Sequence, residues 1–341
     1  MLTERQRMIL NVIIDDYIRS AEPIGSRSIS KRSDVSFSPA TIRNEMADLE
    51  ELGFLEQPHT SAGRIPSIKG YRYYVDHLVR LGEVNDQDVQ KVRSFFTEKM
   101  NQMEQIIQHA ASILSNLTNY TSIVLGPETF ANSLKHFQLV PISNDAAVAI
   151  IVTNTGHVEN RTISIPADMS MDEMQQAVNI LNAKLIGVPL ARLKSKLYTE
   201  VGQELGRYAD QCEKLLGVLD EALNSEDEHR VFLSGATNML TQPEFKDVDK
   251  VKTVLDLLDE TPTIMQMFSS LPSGIAVRIG TENTHEAINN CSLITATYSA
   301  HGQQLGTIGI LGPTRMDYAK VISLLDLLSK DMAVLLSRWY K

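Results

Sequence analysis

The sequence predicts an α+β protein of two or three domains. Its 341 residues exceed one ordinary domain, and a balance of 43% apolar to 22% charged residues supports real hydrophobic cores. Helical periodicity dominates the first 117 residues apart from a hairpin at 54–66, while strand-like alternation begins near residue 134 and returns near residue 275.

The first helix opens at a capping box, Thr3 to Gln6, which satisfies free backbone N–H groups of its first turn. Ile9, Val12, Ile13 and Tyr17 then recur at helical spacing. The run Ala21-Glu22-Pro23-Ile24-Gly25 ends it, because Pro23 restricts Glu22 and Gly25 permits a turn. A short second helix over about Ser26–Ser33 turns Ile29 inward. The third has Ser38 as N-cap and Pro39 at its first position, where a missing N–H costs nothing. At roughly 100° per residue, Ile42, Met46, Leu49 and Leu52 form its buried stripe, and Ala40, Arg43, Asn44 and Ala47 face outward. Gly53 is the expected residue just past its end. Phe54 to Pro66 reads as a hairpin with His59-Thr60-Ser61-Ala62-Gly63 at the tip. Lys69 to Arg80, with three tyrosines, leaves it toward a linking helix. Three helices and a hairpin in this order are a winged helix-turn-helix, a module that reads DNA.

From Asp86 to Leu117 an uninterrupted helical pattern runs without Pro or Gly, suited to packing on the next domain or pairing with its own copy. Strands are expected at Leu134–Pro141, Ala146–Val152 and Val158–Ile165, the last two joined through Asn154-Thr155-Gly156. Helical segments follow at about 170–186, 199–223 and 247–258, with a short strand at Val231–Leu233. Strands return at Ile275–Ile279, Cys291–Tyr298 and Leu305–Leu311, with a turn at Ala300–Gly302 between the last two. A helix from Asp317 to Trp339 closes the chain. This order suggests one sheet domain split by an insertion, with two consecutive α+β domains as the alternative.

A net charge of −10 looks wrong for a DNA binder until the chain is divided. Residues 1–80 carry 11 basic and 11 acidic side chains, so the whole deficit falls on 81–341. Within the neutral part, Arg27, Lys31, Arg32 and Arg43 face Asp34 alone across 24–43. Arg64, Lys69, Arg72 and Arg80 face Asp76 alone across 59–80. Local charge governs phosphate contact within a screening length of ~8 Å, so an acidic body is no obstacle.

Arg43 and Asn44 are the candidate base readers, bidentate to guanine and adenine, with Ala40, Thr41 and Ala47 giving close approach or thymine-methyl contact. Ser38 caps the same helix. Arg64 at the wing tip is assigned to the minor groove or adjacent phosphate, supported by His59, Thr60 and Ser61. Ser28, Lys31 and Arg32 are expected to hold the DNA backbone.

Nothing points to an enzyme. His285-Glu286-Ala287-Ile288-Asn289 misses the zinc-helix motif by its second histidine, so no metal ligand set is expected. Gly306, Gly309 and Gly312 match neither a dinucleotide fingerprint nor a P-loop. No nucleophile elbow occurs, and no cofactor is expected. Cys212 and Cys291 lack metal-type spacing and read as reduced thiols. No apolar run is long enough for a membrane span and no signal segment opens the chain, so a cytoplasmic protein is expected.

Thr41-x-Arg43-Asn44-Glu45-Met46 through Gly53 and His59-Thr60-Ser61-Ala62-Gly63-Arg64-Ile65-Pro66 closely resemble the heat-inducible transcription repressor HrcA family of bacteria. So do Ser234 to Leu240, Arg278 to Asn283 and Leu311 to Tyr318, so the resemblance spans the whole chain in order. One departure is Ser67, where the family pattern suggests Thr; either hydroxyl can serve a phosphate. The resemblance implies a winged helix at 1–76, a linker helix and the first part of a GAF-like domain at 77–168, an inserted dimerising domain at 169–250, and the second part of the GAF-like domain at 251–341. It further implies a homodimer on double-stranded DNA at the inverted-repeat CIRCE operator, upstream of groE- and dnaK-type chaperone operons. The GroE chaperonin would keep the repressor active, and no small-molecule ligand is expected. The alternative is a metabolite-responsive winged-helix regulator with its ligand in the GAF-like domain.

Overall fold

The computed structural model of the chain describes residues 2–59, 63–79, 85–96, 103–126, 133–143, 145–154, 156, 158–166, 170–188, 193, 195–202, 212–223, 231–269, 272–300 and 303–337. It divides into two compact units. One comprises Met1–Glu98, Gln108–Leu125 and Val231–Val334, and the other Lys99–Ile107, Gly126–Arg230 and Leu335–Lys341.

The first unit opens with α1 (Glu4–Ser20), α2 (Ser26–Ile29) and α3 (Pro39–Glu51), then β1 (Leu55–Glu56) and β2 (Ile65–Pro66). The capping box forms as expected, with Gln6 N donating to Thr3 Oγ1 at 3.2 Å and Thr3 N to Gln6 Oε1 at 3.1 Å. The turn after α1 differs from expectation. Ala21 takes the left-handed conformation (φ 56°), whereas Gly25 is extended (φ −98°) and caps α2. α2 is half the expected length. Ile9, Leu10, Ile13, Ile14, Ile29, Ile42 and Leu49 are fully buried and form the apolar interior of this module. Burying each is worth about 1.5–3 kcal/mol before chain entropy is charged. Leu52 departs from the expected stripe: it is the C-cap of α3 and is 47% exposed.

β1 and β2 pair antiparallel, Leu55 with Pro66 and Glu56 with Ile65, and Arg64 adds a bridge to Ile24 through two backbone bonds of 2.9 Å. That bridge explains Gly63. A Cβ there would lie 2.4 Å from the Ile24 carbonyl oxygen, closer than any side chain tolerates. α4 (Ile68–Tyr73) follows and runs into a π-helical turn at Tyr74–Leu78.

The expected continuous helix over 86–117 is seen as α5 (Asp86–Phe96) and α6 (Met103–Thr118); 97–102 lie outside the described residues. Arg80, Thr155, 203–211, His301, Gly302 and Trp339, each part of an expected element, also lie outside them.

Five strands complete the first unit: β3 (Thr121–Leu125), β7 (Val231–Ser234), β8 (Ile275–Ile279), β9 (Cys291–Ala300) and β10 (Gln303–Pro313). Their order is β7-β3-β10-β9-β8, every neighbour antiparallel. Cys291, Leu293 and Leu311 join an apolar core with Val254, Leu257, Ile264 and Phe268, which belong to two helices at Val248–Asp259 and Thr261–Ser269. Alternation turns Ser292 to the opposite face, where it bonds Tyr318 of the closing helix (Tyr318–Leu336) at 2.7 Å. A sheet with helices on both faces fits the expected GAF-like class. His285, the residue of the near-miss metal motif, caps a short 3₁₀ turn at Glu286–Ile288.

Among the described residues, the second unit carries a three-stranded antiparallel meander, β4 (Leu134–Pro141), β5 (Ala146–Thr153) and β6 (Val158–Ser164), with the helices α7 (Met171–Leu185) and α8 (Cys212–Leu223) and a π-helical turn at Leu197–Val201. Phe137, Ala149, Ile151, Val178, Leu181 and Leu219 share its core. Asn182 of α7 pins β4 by accepting from Phe137 N at 2.9 Å and donating to Phe137 O at 2.7 Å.

These strands correct the expected domain limits. β4–β6, expected in the first part of the sheet domain, close on their own core, and the interruption spans Gly126–Arg230 rather than 169–250. β3 and β7 are direct neighbours, Ser122 opposite Ser234, so the second unit is inserted where a hairpin loop would be. β3 escaped the sequence reading because it is buried on both faces and shows no alternation.

Candidate nucleic-acid interface

α3 is built to present a short outward face. Ser38 Oγ accepts from Thr41 N at 3.1 Å and lies 2.9 Å from Thr41 Oγ1, so both hydroxyls are committed to the helix start. At the other end Gly53 is left-handed (φ 78°), Gly53 N donates to Glu50 O at 2.9 Å, and Phe54 N donates to Leu49 O at 2.8 Å. This paired C-terminal cap satisfies two orphan carbonyls. Lys69 supplies a third bond, to Leu52 O at 2.8 Å, with its ammonium over the Phe54 ring. Held at both ends, the helix exposes Ala40, Arg43, Asn44 and Ala47 and buries Ile42, Met46 and Leu49. The four residues expected to face outward do so.

α3 also carries Glu45, Asp48, Glu50 and Glu51, charges that would repel a phosphate backbone. Two of them are neutralised. Arg5 of α1 pairs with Glu45 at 3.1 Å and lies over the Phe37 ring, and Arg64 reaches Glu50 at 2.7 Å. No local pattern in the sequence marks Arg5, because its partner is 40 residues away.

The remaining expected residues divide. Ser28 and Lys31 on and after α2, and His59 at the start of the wing tip, are exposed. Thr60 and Ser61 lie outside the described residues. Arg32 does not stand free on the surface: it forks onto both oxygens of Asp34 at 2.9 and 2.8 Å and reaches Asp16 at 2.5 Å. Hydrogen bonding to Arg32 holds the Asp34 carboxyl below its ordinary range. Arg64 likewise points back to α3 rather than out of the wing, with 19% of its side chain exposed. Ser67 is buried, donates to Gly53 O at 2.7 Å and accepts from Gly70 N at 3.0 Å, so it caps α4 instead of meeting a phosphate. In each case a longer-range partner decides how the side chain is used.

The winged helix is fixed to the sheet domain by two arginines. Arg72 of α4 bonds both oxygens of Glu282 and donates to Val277 O at 2.7 Å. Arg315 reaches the other way, to Glu244 at 2.6 Å and to the Ile18 carbonyl near the end of α1 at 2.5 Å. Between them Tyr71 and Tyr74 pack against Tyr318, with ring centroids 5.8 and 6.4 Å away. Burial pushes the Glu282 carboxyl up, but bonds from Arg72 and Ile279 N outweigh it and leave the group below its usual value. The segments 278–283 and 311–318 are thus parts of this junction. Asn283 is buried and its amide donates to three carbonyls, Gly280, Ile288 and Cys291, at 2.8–3.0 Å. In 234–240, Asn238 donates to Ser115 Oγ at 3.0 Å.

Among the described residues no helix is long and apolar enough to cross a membrane. Two family models match the chain: "Winged helix-turn-helix transcription repressor, HrcA DNA-binding" over residues 1–76 and "HrcA protein C terminal domain" over residues 104–322. Proteins named "Heat-inducible transcription repressor HrcA" from Brevibacillus brevis and Halalkalibacterium halodurans are 51% and 50% identical over 100% of this chain and 100% and 99% of their own. That of Bacillus pumilus is 49% identical over 100% of this chain and 99% of its own. A solved structure described only as a hypothetical protein shares the fold, with a TM-score of 0.72 at 23% identity, covering 99% of this chain and 100% of its own. The chain belongs to the HrcA family of DNA-binding, winged helix-turn-helix transcription repressors.

Proposed function

We propose that this chain represses groE- and dnaK-type chaperone operons in the cytoplasm by binding an inverted-repeat CIRCE operator as a homodimer. The observation that carries this reading is the exposed face Ala40, Arg43, Asn44 and Ala47, on a helix capped at both ends and stripped of two of its repulsive charges. A two-fold dimer sets two such helices on two half-sites, which is why the operator is an inverted repeat. Arg43 reads guanine and Asn44 adenine, while the alanines allow the helix axis close to the base edges. Thr41 contributes its methyl, its hydroxyl being committed to Ser38. Ser28, Lys31, His59, Thr60 and Ser61 meet the backbone. Arg32 and Arg64, given their carboxylate partners, act as organising residues of the turn and the wing.

Induction follows from competition for the GroE chaperonin. Heat fills the chaperonin with unfolded clients, the unassisted repressor leaves its active state, and the operons are released. A stability change of ~1–2 kcal/mol is enough to change the active population several-fold. The test is operator binding by purified protein across a temperature step, with and without chaperonin. Binding should fall after the step and recover only with chaperonin; full recovery in both cases refutes the mechanism. The reading with a metabolite inside the GAF-like core fits less well, because Ile123, Leu257, Ile264, Phe268, Leu293 and Leu311 pack together between sheet and helices.

A further inference from the structure

The module that reads DNA is docked by contacts that leave its reading face free. Covalently it joins the rest of the chain at one place, the segment after Val79, so non-covalent ties decide whether it turns with the sheet domain or swings. Those ties come from two different helices. From α4, Arg72 forks onto Glu282 and donates to Val277 O at 2.7 Å. Near the end of α1, the Ile18 carbonyl accepts from Arg315 at 2.5 Å, while Arg315 Nε holds Glu244 at 2.6 Å. A single tie leaves rotation about itself; a second on another helix removes most of it, and Tyr71 and Tyr74 add packing against Tyr318. Gly280 lets the surfaces close. Its backbone (φ 56°) leaves room for Ile68 of α4, whose Cδ1 would lie 2.6 Å from a Cβ there. Ala40, Arg43, Asn44 and Ala47 stay exposed in this docked arrangement, so docking does not hide the recognition helix.

The geometry of the duplex makes such docking consequential. Each base pair added between two half-sites moves one of them by about 3.4 Å and turns it by about 34°. Heads on loose tethers follow that change at little cost. Heads fixed to their bodies have to break a tie or give up a half-site.

We infer that Arg72 and Arg315 are positioning residues for operator spacing: by fixing the winged helix on the sheet domain, they restrict the dimer to one separation of half-sites. This inference rests on the proposed homodimer on an inverted repeat. The two arginines act through the orientation of α3, not by touching DNA.

The experiment measures equilibrium binding of the full chain, below the onset of unfolding, to the inverted repeat and to a single half-site. Duplexes with the spacer lengthened or shortened by one and by two base pairs complete the series. For the wild type, a change of one base pair should lower affinity about 30-fold or more, the equivalent of breaking one such tie. Arg72→Gln and Arg315→Met should each flatten that loss to less than about 10-fold, and together to less than about 3-fold. Both variants should bind the original spacing more weakly, because a freed head gives up more orientational freedom on binding. Their affinity for a single half-site should equal that of the wild type, which loss of a merely structural residue would not allow. The inference is overturned, and the inverted-repeat reading stands, if the variants keep the wild-type spacing profile. The same holds if the wild type prefers the full repeat to a half-site but ignores spacing. Variants that lose half-site binding in step with the full repeat mark the arginines as structural and also overturn it. A wild type that binds the full repeat no better than a half-site overturns both readings.

Discussion

Replacing Arg315 with methionine removes the guanidinium that ties the winged helix to the sheet domain and keeps an unbranched apolar stem. Arg315 is 9% exposed and bonds Glu244 at 2.6 and 3.3 Å, Gln242 at 3.4 Å and the Ile18 carbonyl at 2.5 Å. Its loss strands a carboxylate and a backbone acceptor together. Breaking a buried pair from one side costs ~3–5 kcal/mol, whereas an exposed pair is worth ~0–1 kcal/mol. Glu244 keeps 26% side-chain exposure, so water partly rescues it, and the expected loss is about 2–3 kcal/mol. The loss should concentrate at the junction. Urea unfolding gives the magnitude, and hydrogen exchange of the amides at Tyr17–Ser20 gives the place, with faster exchange expected there. Arg315→Lys should recover less than half, because an ammonium cannot fork onto Glu244 and reach Ile18 as well. Stability within about 0.5 kcal/mol of wild type, with unchanged exchange at the end of α1, would refute the assignment of Arg315 as a tie.

Three further outcomes follow from named contacts. The Glu282 carboxyl has a folded pKa below its ordinary value of 4.5, so its contribution is complete at neutral pH and fades as pH falls through the acid range. Glu282→Gln should flatten the acid limb of a Tm-against-pH curve, and an unaltered limb would discount the Arg72 pair. Gly63→Ala forces a Cβ against the Ile24 carbonyl and should cost about 1–3 kcal/mol of winged-helix stability; a neutral result in thermal unfolding would mean the bridge does not hold in solution. Arg64→Ala separates its two possible uses: as a tie to Glu50 it leaves the slope of log affinity against log salt unchanged, and as a phosphate contact its loss shallows that slope by ~0.9.

Features written in adjacent residues were legible in the sequence. The Thr3–Gln6 box, the Ser38-Pro39 start and the Gly53 stop of α3 each depend on groups within a few positions, so spacing alone revealed them. The outward face of α3 followed from helical periodicity. What was not legible depends on partners far along the chain. Arg64 meets Glu50, Arg72 meets Glu282 across 210 positions, and Ser67 meets the Gly53 carbonyl, and no local pattern records these pairings. β3 is the same problem at the scale of the fold. Thr121–Leu125 is buried on both faces, and its neighbours in the sheet come from residues 231–234 and 307–311. Missing it moved the start of the insertion from 126 to 169 and misplaced the meander, although its three strands were themselves correctly located.

We propose above that Arg43 and Asn44 on α3 read an inverted repeat. The most direct test is equilibrium binding of the purified full chain to a duplex carrying the inverted repeat from upstream of a chaperone operon. A scrambled duplex of equal length, at the same salt, is the reference, and Asn44→Ala is measured beside the wild type. The wild type should prefer the repeat by a factor of about 10³ or more. Asn44→Ala should lose ~1–3 kcal/mol per half-site on the repeat and almost nothing on the scrambled duplex. Equal wild-type affinity for both duplexes, or an equal loss on both in the variant, would contradict it.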